Sequence, residues 1–141
     1  MTTDSSFKDI SRLETILDIS FKDKSILKLA FTHSSYARRD TSIITPDNER
    51  LEFLGDAVLK LIVSELFYET FKDLSEGTLT KYRGLIVSDK ILAQFAHHYD
   101  LGDFLLFSFG EEKSGGAHRD SNLADCVEAL LGAYYLDSGY D

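Results

Sequence analysis

The 141-residue sequence predicts an all-α domain, and three observations carry that expectation. Apolar residues recur at helical spacing almost throughout, alternating strand-like runs are short and few, and residues able to cap a helix stand where helices should start. Six helices are expected, over residues 7–18, 23–33, 47–71, 75–86, 88–99 and 120–137. The first rests on its apolar spacing. The others open at Asp23, Asp47, Ser75, Ser88 and Asp120, each with a side-chain oxygen placed to accept from the free amides of a first turn. Two connections are longer than the rest: TSIITPD ahead of the third helix, and the glycine-rich, charged FGEEKSGGAHRD ahead of the last. No repeat or low-complexity segment interrupts the chain, so one domain over 1–141 is expected, with residues 1–6 disordered.

Composition sets outer bounds. Apolar residues make up 43% and aromatics 12%, with one proline, which excludes a disordered or fibrous chain. No apolar run approaches the roughly 20 residues that span a bilayer, and MTTDSSFKD lacks the basic and apolar regions of a signal peptide. A cytoplasmic protein with no membrane partner is therefore expected. Cys126 stands alone and can form no intrachain disulfide; its apolar surroundings favour a small buried side chain over a reactive thiol. The net charge of -9 argues against nucleic acid, because polyanion binding draws on surplus Lys and Arg. Any case for such a partner has to come from where the carboxylates sit.

They sit in two unusual places. In Asn48 to Phe71, Leu51, Leu54, Val58, Leu61 and Ile62 are joined by Phe53, Leu59, Val63 and Leu66, which leaves little solvent face and predicts a central, buried helix. Glu49, Glu52 and Asp56 nevertheless share one stripe of its first turns, at i, i+3 and i+7. A solvated, dipole-favoured N-terminal turn accounts for Glu49 but poorly for Asp56, which is flanked by Leu54, Ala57, Val58 and Leu59. The last helix carries Asp125 and Glu128 one turn apart among Leu123, Ala124, Val127, Leu130 and Leu131. Like charges gathered in a low dielectric stay ionised only around a cation, and an oxygen-only donor set suits Mg2+ or Mn2+. The alternative at this level is two solvated acidic faces, since spacing does not reveal whether the two helices meet.

At NERLEFLGDAVL (Asn48 to Leu59) the sequence resembles the ribonuclease III signature. The likeness continues in LAFTHSSYA upstream, LSEGTLTKYRGLIVS downstream and KSGGAHRDSNLADCVEALLGAYYLDSG near the end, in the family's order. It implies a helical, bundle-like endonuclease domain that forms a symmetric homodimer and cuts double-stranded RNA, leaving 5′-phosphate and 3′-hydroxyl ends with short 3′ overhangs. It further implies Mg2+, with Mn2+ as a substitute, no small-molecule cofactor, and roles in ribosomal RNA precursor, messenger RNA and other RNA processing. Carried over by position, the metal-binding and catalytic carboxylates fall on Glu52, Asp56, Asp125 and Glu128, the four that the helical pattern singles out. Asp47 stands where relatives often have histidine. Bacterial members usually continue through another helix, a linker and a double-stranded RNA-binding domain; the last helix and that domain are expected to be missing after Asp141, which would answer the charge objection.

Other residues have two readings each. In the resembled family the phenylalanine at position 53 enters a pocket of the partner subunit; otherwise Phe53 is an ordinary core aromatic. Glu49 and Glu76 match acidic positions of the family's catalytic valley, or are simply solvated or capping carboxylates. Lys113 and Arg119, with the glycines and His118 of KSGGAHRD, suit contacts to RNA phosphate or belong to a flexible surface loop, and Lys81 and Arg83 are further possible RNA contacts. His33, His97, His98 and His118 lack metal-ligand spacing. Two rivals to an ordinary enzyme are a relative reduced to an RNA-binding or structural module, against which all four carboxylates weigh, and a compact relative specialised for one ribosomal RNA precursor.

Overall fold

The structure, a computed structural model, describes residues 9–40, 42 and 45–141. Eight α-helices run through them: α1 (Ile10–Leu17), α2 (Lys24–Ala30), α3 (Ser34–Ala37), α4 (Glu49–Thr70), α5 (Glu76–Ile86), α6 (Asp89–His98), α7 (Phe109–Lys113) and α8 (Asp120–Ser138). The only extended pairing among the described residues is an isolated parallel bridge between Thr32 and Leu106, so the fold is all-α as expected. No helix among them is long and apolar enough to cross a membrane. The start expected at residues 7 and 8, and the disorder expected over 1–6, lie outside the described residues, as do three positions of TSIITPD.

Local chemistry sets most boundaries. Asp23 accepts from the Ser25 amide at 2.9 Å, Ser75 from Thr78 at 3.3 Å and Ser88 from Ile91 at 3.4 Å, as their positions predict. Two capping assignments need correction. Asn48, not Asp47, occupies the cap position of α4, although Asp47 still accepts from the Glu49 amide at 2.9 Å. Asp120 is the first residue of α8 rather than its cap; Arg119 holds that place without a side-chain bond, and Asp120 instead faces His97 at 3.4 Å. The helix expected over 23–33 ends at Ala30, and a separate short helix follows, capped by the ring of His33, whose Nδ1 accepts from the Ser35 amide at 3.1 Å. FGEEKSGGAHRD is likewise structured, holding α7 and a 3-10 turn at Gly116–His118.

The core is built on α8. Leu123, Ala124, Cys126, Val127, Ala129 and Ala133 are buried there, packed with Leu13, Phe21, Leu27, Leu92, Leu101 and Leu105 from the surrounding elements. Against α8 lies α4, and the contact is backbone on backbone: a Cβ added to Gly55 would sit 1.6 Å from the Glu128 carbonyl oxygen, and one added to Gly132 would sit 2.3 Å from that of Leu51. Only glycine at both positions permits that approach. The remainder of α4 departs from the expected all-round burial. Leu51, Gly55, Val58 and Val63 are buried, whereas Phe53, Leu61, Ile62 and Leu66 are exposed. Its apolar surplus is thus left uncovered within a single chain, at Phe53 near the start of the helix and at Leu61, Ile62 and Leu66 further along.

Candidate metal centre

The glycine contact decides which carboxylates meet. Gly55 lies between Glu52 and Asp56, and it packs on the backbone of Glu128 itself, so the acidic stripes of α4 and α8 are pressed together at their crossing. Glu52, Asp125 and Glu128 each offer one carboxylate oxygen, and the three lie within 4.8 Å of one another. This is the only such group of potential metal ligands among the described residues, and no histidine belongs to it.

The carboxyls are strained electrostatically. Glu52 is pushed up to about 7, first by burial, then by the charge of Asp125 and a side-chain hydrogen bond with it. Glu128, only 9% exposed, is also pushed up to about 7, by burial first and then by Asp56, Glu52 and Asp125. Burial, then Asp89, raises Asp125. A group of oxygens too crowded to be fully ionised is a site where a hard divalent cation can replace protons, so the donor set fits Mg2+ or a chemically similar ion.

Asp56 stands slightly apart from these three. It presses on Glu128, but its Oδ2 accepts from Lys60 Nζ at 2.9 Å, one helical turn on, and it is not among the three gathered oxygens. Glu49 is exposed and its charge acts on both Glu52 and Asp125, which puts it at the rim. Glu76 is exposed in the first turn of α5. Lys81 is exposed on that helix, whereas Arg83 Nη1 donates to Ser64 Oγ at 2.8 Å. Lys113 lies 6.0 Å from the Phe109 ring centroid, and Arg119 pairs with Glu111.

Phe53 is 84% exposed, which removes the core-aromatic reading. It lies at a groove of about 840 Å3 lined also by Ile26, Leu29, Leu51, Leu54 and Leu136. Sequence reasoning missed Asp89 and His33, whose charges act on Asp125 from α6 and from the start of α3. Neither carried a local signal, because their approach to α8 is made by the tertiary fold. The Lys60 partner of Asp56 was legible as an i, i+4 pair.

Residues 23–141 match the sequence model of the family described as Ribonuclease-III-like. Ribonuclease 3 of Oceanobacillus iheyensis is 51% identical over 133 residues, covering 94% of this chain and 58% of that protein. The chain thus spans little more than half the length of the curated relatives it matches. Among solved structures, the nuclease domain of ribonuclease III from Campylobacter jejuni, described as flexible in a region involved in dimer formation, superposes with a TM-score of 0.87 at 43% identity, over 94% of this chain and 88% of that one. Dicer from Pichia stipitis gives a TM-score of 0.62 at 32% identity, covering 86% of this chain and 50% of that one.

Proposed function

This chain belongs to the ribonuclease III family, and on that footing we propose that residues 1–141 form the catalytic domain of a Mg2+-dependent endoribonuclease that cuts double-stranded RNA as a homodimer. The observation that carries the reading is the meeting of Glu52, Asp125 and Glu128 at a glycine-tight helix crossing, with Glu52 and Glu128 pushed up to about 7. Those three would hold the ion, with Asp56 completing the acidic set beside Glu128. When bound, Mg2+, or Mn2+ in its place, would lower the pKa of an attacking water and offset charge on the oxygens of the phosphodiester.

The chain's own groups supply the rest. Burial and neighbouring carboxylates favour the protonated forms of Glu52 and Glu128 when no metal is bound, and protons must leave for the oxygens to act as ligands. Packing fixes the backbone of Glu128 against Gly55, which sets where its side chain starts at the crossing. Glu49 and Glu76 would line the approach, and Lys113, Arg119, Lys81 and Arg83 would meet the RNA backbone. Arg83 is the least free of these, because Ser64 already engages it. Products would carry 5′-phosphate and 3′-hydroxyl ends with short 3′ overhangs, consistent with cytoplasmic processing of ribosomal RNA precursors and other transcripts.

Dimerisation is supported by the exposed start of α4 around Phe53. An exposed aromatic beside a groove on the same surface is self-complementary under two-fold symmetry: each Phe53 can enter its partner's groove. The experiment is cleavage of an end-labelled RNA duplex with Mg2+ and with chelator, followed by analysis of the product ends. Metal-dependent internal cuts leaving 5′-phosphates are expected. A folded, dimeric protein that leaves duplex RNA intact with either Mg2+ or Mn2+ would overturn the proposal.

A further inference from the structure

One carboxylate organises the segment ahead of α8. The Glu111 amide is held by the Ser108 hydroxyl at 3.2 Å, and its side chain, 23% exposed, reaches across the following turn. Glu111 Oε1 accepts from Arg119 Nη1 at 2.5 Å and from Asn122 Nδ2 at 3.4 Å, while Asn122 Nδ2 also donates to the Gly116 carbonyl at 3.1 Å. Gly116 fits closely under it, since an added Cβ would lie 2.9 Å from Glu111 Cγ and 3.0 Å from the Glu111 carbonyl oxygen. The anchor extends to α3, where Ser35 Oγ accepts from the Ser108 amide at 3.0 Å and lies 2.8 Å from His33 Nδ1.

The direction of this clamp is informative. Asn122 lies on α8 one turn before Asp125, so Glu111 is tied to the first turns of the helix that carries Asp125 and Glu128. Arg119 is held by Glu111 just before that helix begins. Its side chain remains 47% exposed, and its contact with Glu111 runs through Nη1. A guanidinium has five donors in a rigid plane, so one held edge leaves others for an anion.

Resting on the RNA-cleaving reading above, we propose that Glu111 is a positioning residue: it aims the Arg119 guanidinium at a phosphate of the RNA strand crossing the Asp125 and Glu128 stripe, without touching RNA itself. Holding a long, flexible side chain before substrate arrives removes an ordering cost from binding. Two other roles for the pair make different predictions. If Glu111 merely neutralised Arg119, its removal would strengthen RNA binding. If it only closed the turn, its removal would change stability and not substrate affinity.

The test is steady-state cleavage of a short RNA duplex by the 141-residue chain with Mg2+ across a series of salt concentrations, joined to hydrogen exchange at the backbone amides. Arg119→Ala should raise KM several-fold and lower the slope of log affinity against log salt by about one, the loss of one phosphate contact. Glu111→Ala should give a similar rise in KM and faster exchange over residues 113–119, with amides 123–129 still protected. The double variant should be no worse than Arg119→Ala, and Glu111→Gln, which keeps an acceptor, should recover most of the affinity. A lower KM in Glu111→Ala, additive effects in the double variant, or faster exchange with an unchanged KM would each overturn the assignment. An active wild type with unaltered KM in Arg119→Ala would refute this inference alone. A wild type that leaves duplex RNA uncut would remove the RNA-cleaving reading and this inference with it.

Discussion

Stability of the metal-free protein should fall as pH rises from about 4.5 to about 7, the reverse of ordinary acid unfolding. Glu128 is 9% exposed and lifted from 4.5 to about 7, so the folded state holds a proton there that the unfolded chain has released. A raised carboxyl pKa contributes stability that is complete below the unfolded value and lost as pH climbs through the folded one. At about 1.4 kcal/mol per pKa unit, the loss for Glu128 is on the order of 3 kcal/mol. Glu52 acts in the same direction and window. The lowered carboxyls Asp9, Glu14, Asp23, Asp40 and Asp137 act oppositely, but below the ordinary carboxylate range. Mg2+ should cancel the decline, because its affinity grows as the carboxyls deprotonate and a hundredfold excess over Kd contributes about 2.7 kcal/mol. Thermal melts at pH 5 to 8, with chelator and with Mg2+ at matched ionic strength, read both effects, and a few kcal/mol corresponds to roughly ten degrees for a domain of this size. The double variant Glu52→Gln/Glu128→Gln should lose the pH decline and the Mg2+ increment together. Wild-type stability that rises from pH 5 to 7.5 in chelator, or an equal Mg2+ response in both proteins, would refute the reasoning.

Phe53→Ala should weaken dimerisation by about 2 kcal/mol, roughly thirtyfold in Kd, as read by sedimentation. An aromatic that is 84% exposed in one chain contributes little to that chain's own core, so an intact dimer with a lowered melting temperature would contradict the interface role. Gly55→Ala should force α4 and α8 apart, because its Cβ would lie 1.6 Å from the Glu128 carbonyl oxygen. Overpacking of this kind costs about 1–3 kcal/mol or more, and Mn2+ affinity measured by electron paramagnetic resonance should collapse with it. Wild-type Mn2+ affinity in that variant would mean the glycine crossing does not set the centre.

The helices were legible because their period and caps are local. Ser75 and Ser88 cap where their positions predict, and α4, α5, α6 and α8 lie within a residue or two of expectation. The two carboxylate stripes were also legible, each on its own helix. Their meeting was not, because it depends on Gly55 and Gly132 removing side-chain bulk from both helices at one point. The grouping of Glu52 with Asp125 and Glu128 is likewise a property of the crossing, whereas the pair of Asp56 and Lys60 is local to α4. The apolar pattern of α4 could not distinguish a core from an interface, since Phe53, Leu61 and Leu66 would look the same in either. FGEEKSGGAHRD reads as a loop from its glycines, yet Glu111 orders it through partners eight and eleven residues away, beyond the reach of local pattern.

The most direct test of the metal-centred account is duplex-RNA cleavage by Glu128→Gln beside wild type over a Mg2+ titration, with folding and dimerisation verified for both. Replacing one carboxylate oxygen by an amide nitrogen removes an ionisable group that burial, Asp56, Glu52 and Asp125 all act on, while leaving the helix crossing in place. The account predicts that Glu128→Gln melts no lower than wild type in chelator, remains dimeric and loses most of its cleavage at every Mg2+ concentration. Near-normal turnover at saturating Mg2+ would contradict the claim that these carboxylates hold the catalytic ion.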